Sequence, residues 1–273
     1  MIIKKAILGA GLGLLSCTAN ASSILFVSDN TADTSIATVL SSAGHTVTSS
    51  LNQYTPATEE TTALLGNLSS YDAVFWSATG TGFGSLHNSA TMYANLNNYI
   101  SGGGSIFVTG YDSVSSPIDT ALISFLGGSS TLDDRNQPQA ISSVITSLTM
   151  GVRDIRGLTP TTSGNQTNDR DSIGGLNANT IGIVGSGSSI LGLYQWTLQS
   201  VGLGEIAYVS NGNHKDDSES TSWANASSVY NAALLNFAFN SGSDAHVPEP
   251  TTLTLLAFSL VGIGFSKKKN ITA

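Results

Sequence analysis

Cysteine is nearly missing from this 273-residue chain: the only one is Cys17. A mature domain beginning beyond it has no thiol, which excludes disulfides, thiolate metal sites and cysteine nucleophiles together. Charge is scarce as well, at 10% of residues, so Ser, Thr, Asn and Gly must cover much of the surface. Cations are scarcer still. Lys and Arg number 10 against 18 Asp and Glu, and five of the ten (Lys4, Lys5, Lys267, Lys268, Lys269) lie at the chain ends. Setting those ends aside, together with Glu249, leaves five cations against 17 acids, a net of −12. Phosphate contacts need clustered Lys and Arg, so nucleic acid is excluded as a partner. His45 and His87 have no partners at metal-ligand spacing, and neither a metal nor a cofactor is expected.

What the chain does have is concentrated at its two ends. Near the C-terminus, Val247-Pro248-Glu249-Pro250 precedes an apolar run from Leu253 to Phe265, and Lys267-Lys268-Lys269 follow. Proline fixes φ and has no N–H, so Pro248 and Pro250 hold this stretch extended, where a processing enzyme can read it. The run is shorter than the roughly 18 to 20 residues that span a bilayer comfortably, yet a cationic stop lies behind it. No polar face interrupts it at helical spacing, which argues against an amphipathic helix of a globular domain. A C-terminal hydrophobic helix is expected instead.

This three-part ending resembles the PEP-CTERM sorting signal of Gram-negative, exopolysaccharide-producing bacteria. The resemblance implies recognition by the membrane transpeptidase exosortase after export. It also implies an inner-membrane intermediate, a final place at the cell surface or in the extracellular matrix, and association with exopolysaccharide in a biofilm.

The N-terminus points the same way. Lys4 and Lys5 form a positive region, Ala6 to Leu15 an apolar core, and Ala19-Asn20-Ala21 a small-residue cleavage site before Ser22. That is a secretory signal peptide in composition and length, read by signal peptidase. A competing reading takes Leu14-Leu15-Ser16-Cys17 as a lipoprotein box with Cys17 lipidated, although Leu15 fits poorly there and one acyl chain anchors only marginally. The expected organisation is a signal peptide over 1–21, one domain over 22–243, and a linker with sorting segment over 244–273.

Roughly 220 residues remain between the ends, enough for one large domain with an adequate core. Ser23 to Ser28 predicts a buried-type strand and Thr34 to Ala43 a helix stopped by Gly44. His45–Ser49 predicts a strand, Glu59–Leu68 a helix and Tyr71–Ser77 a strand. Met92–Ile100 predicts a helix and Ser105–Thr109 a strand, with Gly102-Gly103-Gly104 turning the chain between them. The pattern is less clear from Ser113 to Ser189, where Pro117–Leu126 predicts a helix. Later strands are expected at Ile181–Val184, Ile190–Thr197 and Glu205–Ser210, and a closing helix at Ser227–Phe239. Strands alternating with helices at this spacing imply an α/β fold: a doubly wound, mainly parallel sheet with helices on both faces.

The stretches Tyr71-Asp72-Ala73-Val74-Phe75-Trp76-Ser77-Ala78-Thr79-Gly80, Gly103 to Asp112 and Gly204 to Ser210 look like the class I glutamine amidotransferase-like superfamily, a flavodoxin-like α/β sandwich. In active members a cysteine sits in the turn after the fourth strand, with His and Glu supplied later. Here Thr109-Gly110-Tyr111 stands in that turn, and His214 follows a late strand where the partner histidine would lie. The thiol chemistry of the superfamily is therefore absent.

In open parallel sheets, ligands bind beyond the carboxyl ends of the strands. The residues expected there are Asp29, Asn30, Thr79, Thr109, Asp112, Asn211 and His214. Asp29 and Asp112 could act as acid and base with His214 in an exported hydrolase, or hold Ca²⁺ in a glycan-binding module. Each also has a plain role. Asp29 and Asp112 suit turn or N-cap acceptors, and His214 beside Lys215-Asp216-Asp217 suits a solvated loop. Gly80-Thr81-Gly82-Phe83-Gly84 lacks the lysine of a phosphate-binding loop. Asp216, Asp217 and Glu219 lack the spacing of a Ca²⁺-binding loop. A non-enzymatic, exported surface or matrix protein is the leading expectation.

Overall fold

A computed structural model of the chain describes residues 21–28, 34–51, 63–78, 89–109, 120–132, 140–159, 172–184, 196–209 and 228–241. Seven strands form one sheet, in the order β2-β1-β3-β4-β9-β8-β7. They are β1 Ser23–Ser28, β2 Thr46–Leu51, β3 Ala73–Ser77, β4 Ser105–Thr109, β7 Thr180–Val184, β8 Trp196–Val201 and β9 Gly204–Val209. The first four and β9 run parallel, and β8 is antiparallel to both of its neighbours. β5 Ser130–Leu132 and β6 Ser172–Gly174 pair separately as a small antiparallel ribbon. The helices are α1 Ser35–Ser42, α2 Ala90–Ser101, α3 Thr120–Phe125 and α4 Ser228–Asn240.

The inner strands are apolar on both faces because both faces are covered. On one face Phe26, Phe75, Phe107 and Val209 pack against Ile36 and Leu40 of α1 and Leu234 and Phe237 of α4. On the other, Val27, Trp76, Val108 and Tyr208 pack against Met92, Leu96 and Ile100 of α2 and Leu122 of α3. Phe75 and Phe107 stack at 5.1 Å, and Phe237 meets both edge-on at 6.0 and 5.6 Å. Each buried ring of this kind contributes about 1.5 to 3 kcal/mol. The architecture is thus the expected flavodoxin-like α/β sandwich.

Helix ends follow local chemistry. Ser89 caps α2, its hydroxyl accepting from the Met92 N–H at 3.2 Å, and Gly103 leaves the helix at φ +105°. α4 is apolar nearly all round, as befits a helix buried on most sides. Its one fully buried polar residue, Asn236, has a specific task. The Asn236 amide donates to the Leu148 and Arg153 carbonyls at 3.0 and 2.7 Å and accepts from the Arg153 N–H at 2.8 Å. One turn on, Asn240 donates to the Ser147 and Met150 carbonyls at 3.2 and 2.9 Å. Two asparagines therefore clamp the irregular stretch 140–159, which buries Ile141, Leu148 and Ile155 in the core.

Three expectations need revision. The strand expected at Ile190–Thr197 is seen from Trp196 to Val201, and residues 190–195 lie outside the described ones. It forms a hairpin with β9 through Gly202-Leu203, Gly202 taking φ +61° as a two-residue hairpin loop requires. Of the helix expected at Glu59–Leu68, residues 59–62 lie outside the described ones, 63–65 are helical, and a 3-10 turn over Leu68–Ser70 stands where its end was expected. The ribbon β5–β6 was not foreseen. The expected C-terminal helix lies outside the described residues.

Candidate functional site

The strand order reverses between β1 and β3, because β2 lies on one side of β1 and the later strands on the other. Ligand sites in such sheets collect beyond the carboxyl ends at that point. Ser28, Ser77 and Thr109 end β1, β3 and β4 in mutual register and are fully buried. Side chains in register share a face, so the three hydroxyl-bearing residues form a row at the carboxyl edge, on the face covered by α1 and α4. Ser77 Oγ and Thr109 Oγ1 make no hydrogen bond. A buried hydroxyl without a partner costs about 1 to 3 kcal/mol, so two side by side mark this edge as energetically unfinished.

Of the residues expected at this edge, Thr109 is in place. Asp29, Asn30, Thr79, Asp112, Asn211 and His214 lie outside the described residues. Of the residues expected to form the leader and its cleavage site, Cys17 and Ala19 lie outside them too while Ala21 is described, and the tail from Val247 to Lys269 also lies outside. Among the described residues, no group of three or more His, Cys, Asp or Glu is placed to hold a metal. No described helix is long and apolar enough to cross a membrane.

The opposite, amino-terminal edge carries a set of long-range hydrogen bonds. Ser22 is 1% exposed. Its N–H donates to His45 Nδ1 at 3.2 Å, its hydroxyl donates to the Ala238 carbonyl at 3.0 Å, and its carbonyl accepts from the Thr46 N–H at 3.0 Å. Burial lowers the pKa of His45, keeping it neutral and able to accept. Next along, the Asp72 carboxylate accepts from the Ser23 N–H at 2.7 Å while the Asp72 N–H donates to the Ser23 carbonyl at 2.8 Å. Glu205, the second residue of β9, lies at this edge, mostly buried. Desolvation raises its pKa.

Beside these residues lies a cleft of about 500 Å³, lined by Asn67, Tyr71, Asp72, Asn98, Tyr99 and Gly104 among others. The Tyr99 hydroxyl donates to the Tyr71 carbonyl at 3.1 Å, and burial raises its pKa, so it stays protonated. Gly104 is required here because a Cβ would overlap the Tyr99 ring. Ser241, the last described residue before the tail, also lines the cleft. Sequence reasoning missed this edge, since its residues are single polar side chains scattered from Ser22 to Ser241. The pairing of Ser22 with His45 and Ala238 appears only once the sheet is assembled.

Comparison with known proteins bears on the tail and on the fold. Residues 246–269 match the PEP-CTERM protein-sorting motif, which indicates exosortase-dependent export to the cell surface. The match includes Val247 to Pro250 and Lys267 to Lys269. No curated protein matches the chain. Among solved structures, a ThuA-like protein from Parabacteroides merdae superposes with TM-score 0.52 at 9% identity, over 82% of this chain and 91% of that one. A ThuA-like protein from Bacteroides uniformis gives 0.46 at 12% identity, over 84% and 95%. A cytoplasmic protein from Salmonella typhimurium gives 0.49 at 12% identity, over 81% and 100%. The Parabacteroides likeness is one of fold, consistent with the amidotransferase-like sandwich.

Proposed function

We propose that this chain is a non-enzymatic surface or matrix protein of a Gram-negative envelope. It is exported through a signal peptide cut between Ala21 and Ser22 and passed to exosortase from an inner-membrane intermediate. It is then held in an exopolysaccharide-associated biofilm matrix. The observation that carries this reading is the sorting-motif match over residues 246–269. The amino-terminal edge supports it. Ala21 is exposed while Ser22 is buried, so the expected cut falls at a step from an exposed to a buried residue. Ser22 and Ser241 both lie at this edge, so leader and tail would leave the domain on one side.

Order of events follows from the same geometry. Signal peptidase reads an extended chain, but Ser22 is fixed by three hydrogen bonds in the folded domain. Cleavage at Ala21 therefore precedes folding, and the new α-amino group then docks beside His45. Mass spectrometry of the chain released from the cell surface tests the reading. It should begin at Ser22 and lack Lys267 to Lys269. A cytoplasmic chain with both ends intact contradicts it, and an acylated Cys17 replaces the cut at Ala21 with lipidation.

The second reading is an exported hydrolase using Asp112 or Asp29 with His214. What favours it is the pair of unpartnered hydroxyls, Ser77 Oγ and Thr109 Oγ1, at the edge where those residues were expected. Catalysis needs hydrogen-bond reach, so an experimental structure with these three groups more than about 10 Å apart removes it.

A further inference from the structure

From the cleft at the amino-terminal edge we infer a binding site for a neutral, polyhydroxylated ligand, a short run of an uncharged glycan. This inference stands on the cleft alone and is independent of export. Its volume, about 500 Å³, lies within the range of small-molecule sites. Among the described residues, no Lys, Arg or His lines it. Recognition of phosphate, sulfate or uronate relies on such cations, and a domain that holds 16 acids against five cations over 22–243 repels polyanions further.

The polar groups that do line the cleft suit hydroxyls. An amide side chain offers two donors and an acceptor, and a carboxylate accepts only, which together match groups that both donate and accept. Asn98 is exposed at the rim, and its side-chain amide makes no hydrogen bond among the described residues. Asn67 uses its Oδ1 to accept from the Ser69 N–H at 3.2 Å and the Ser69 hydroxyl at 2.7 Å, keeping its NH₂ for a ligand. Asp72 holds the Ser23 N–H through Oδ2, and Oδ1 remains open. Tyr71 and Tyr99 are half-buried and supply aromatic surface for the C–H faces of a sugar ring. The Tyr99 hydroxyl is fixed on the Tyr71 carbonyl, so the Tyr99 ring is held in place before a ligand arrives.

Amide NMR on the purified full chain, titrated with neutral hexasaccharides of glucose, galactose and mannose and with a uronic-acid hexasaccharide, tests this. The site predicts saturable shifts at Asn67, Asp72 and Asn98 with at least one neutral oligosaccharide, and none with the uronate. Asn98→Ala, at an exposed position, should weaken binding roughly fivefold, the size of one neutral hydrogen bond, without changing Tm. Asp72→Asn combined with it should weaken binding further. Several results overturn the inference: no shift with any neutral oligosaccharide at ~10 mM, a range where even weak sites show; preference for the uronate; shifts confined to the carboxyl edge; or unchanged affinity in the double variant. Failure of export would leave every one of these readings unaffected.

Discussion

The two edges of one sheet are built on opposite terms. At the amino-terminal edge, Ser22, His45, Asp72 and Tyr99 are joined by hydrogen bonds that span 216 positions of sequence between Ser22 and Ala238. At the carboxyl edge, Ser77 and Thr109 bury hydroxyls that bond to nothing. Native proteins pair nearly all their buried polar groups, and exceptions gather where function is kept at the expense of stability. The comparison teaches that one edge ties distant parts of the chain together, while the other retains two hydroxyls that the fold itself does not use.

The largest effect is expected where the amino edge is tightest. A Cβ on Gly204 would overlap the Gly104 carbonyl and come within 2.5 Å of the Ile100 carbonyl, both rigid backbone. Gly204→Ala should destabilise by about 3 kcal/mol or more, read as a fall in urea midpoint at unchanged slope. Asn236→Ala comes next. It strands the Leu148 and Arg153 carbonyls and the Arg153 N–H, so a loss of about 3 kcal/mol is expected. A loss under about 0.5 kcal/mol, the level of a neutral surface change, would show that stretch 140–159 is held by its apolar contacts alone.

The carboxyl edge should respond with the opposite sign. Thr109→Val replaces an unpartnered hydroxyl with a methyl group of similar shape, so stability should be unchanged or higher by up to about 1 kcal/mol. A destabilised Thr109→Val would mean that the hydroxyl has a partner after all, and the contrast between the edges would weaken.

Smaller still are two pH effects at the amino edge. His45 has a folded pKa below its ordinary 6.5, so the unfolded chain takes up the proton first as pH falls. Its contribution is fully present above pH 6.5 and is lost as pH drops below that value toward the folded pKa. The decline of Tm with falling pH over this range should flatten in His45→Gln. Glu205 runs the other way, with a folded pKa above its ordinary 4.5, so it favours the folded state at low pH and opposes it once ionised. Glu205→Gln should therefore raise Tm at pH 7, a gain that vanishes below pH 4.5.

Much of the sheet was legible because its central strands are covered on both faces. Ser23–Ser28 and Ser105–Thr109 read as short apolar runs with turn residues beyond them, and the structure places strands at those residues. The β8–β9 hairpin was harder, since Gly202-Leu203 is short and Leu203 is apolar yet 84% exposed. β5 and β6 pair only three residues each, too few for a period. Asn236 was invisible for a different reason: hydrophobic periodicity marks inward positions as apolar, and this one is an amide kept for three hydrogen bonds. Of the candidate site, Thr109 was named in advance, but its alignment with Ser77 and Ser28 depends on strand register. The cleft around Asn98 and Tyr99 depends on tertiary assembly entirely.

The claim that ties these parts together is that the chain is sorted by its ending and presented from the amino-terminal edge. The most direct measurement is the cellular location and mass of a variant with Pro248, Glu249 and Pro250 all changed to Ala, beside wild type. The account predicts that wild type reaches the surface in a C-terminally shortened form, while the variant accumulates at the inner membrane at full tail length. A variant that is shortened and surface-exposed like wild type would contradict it.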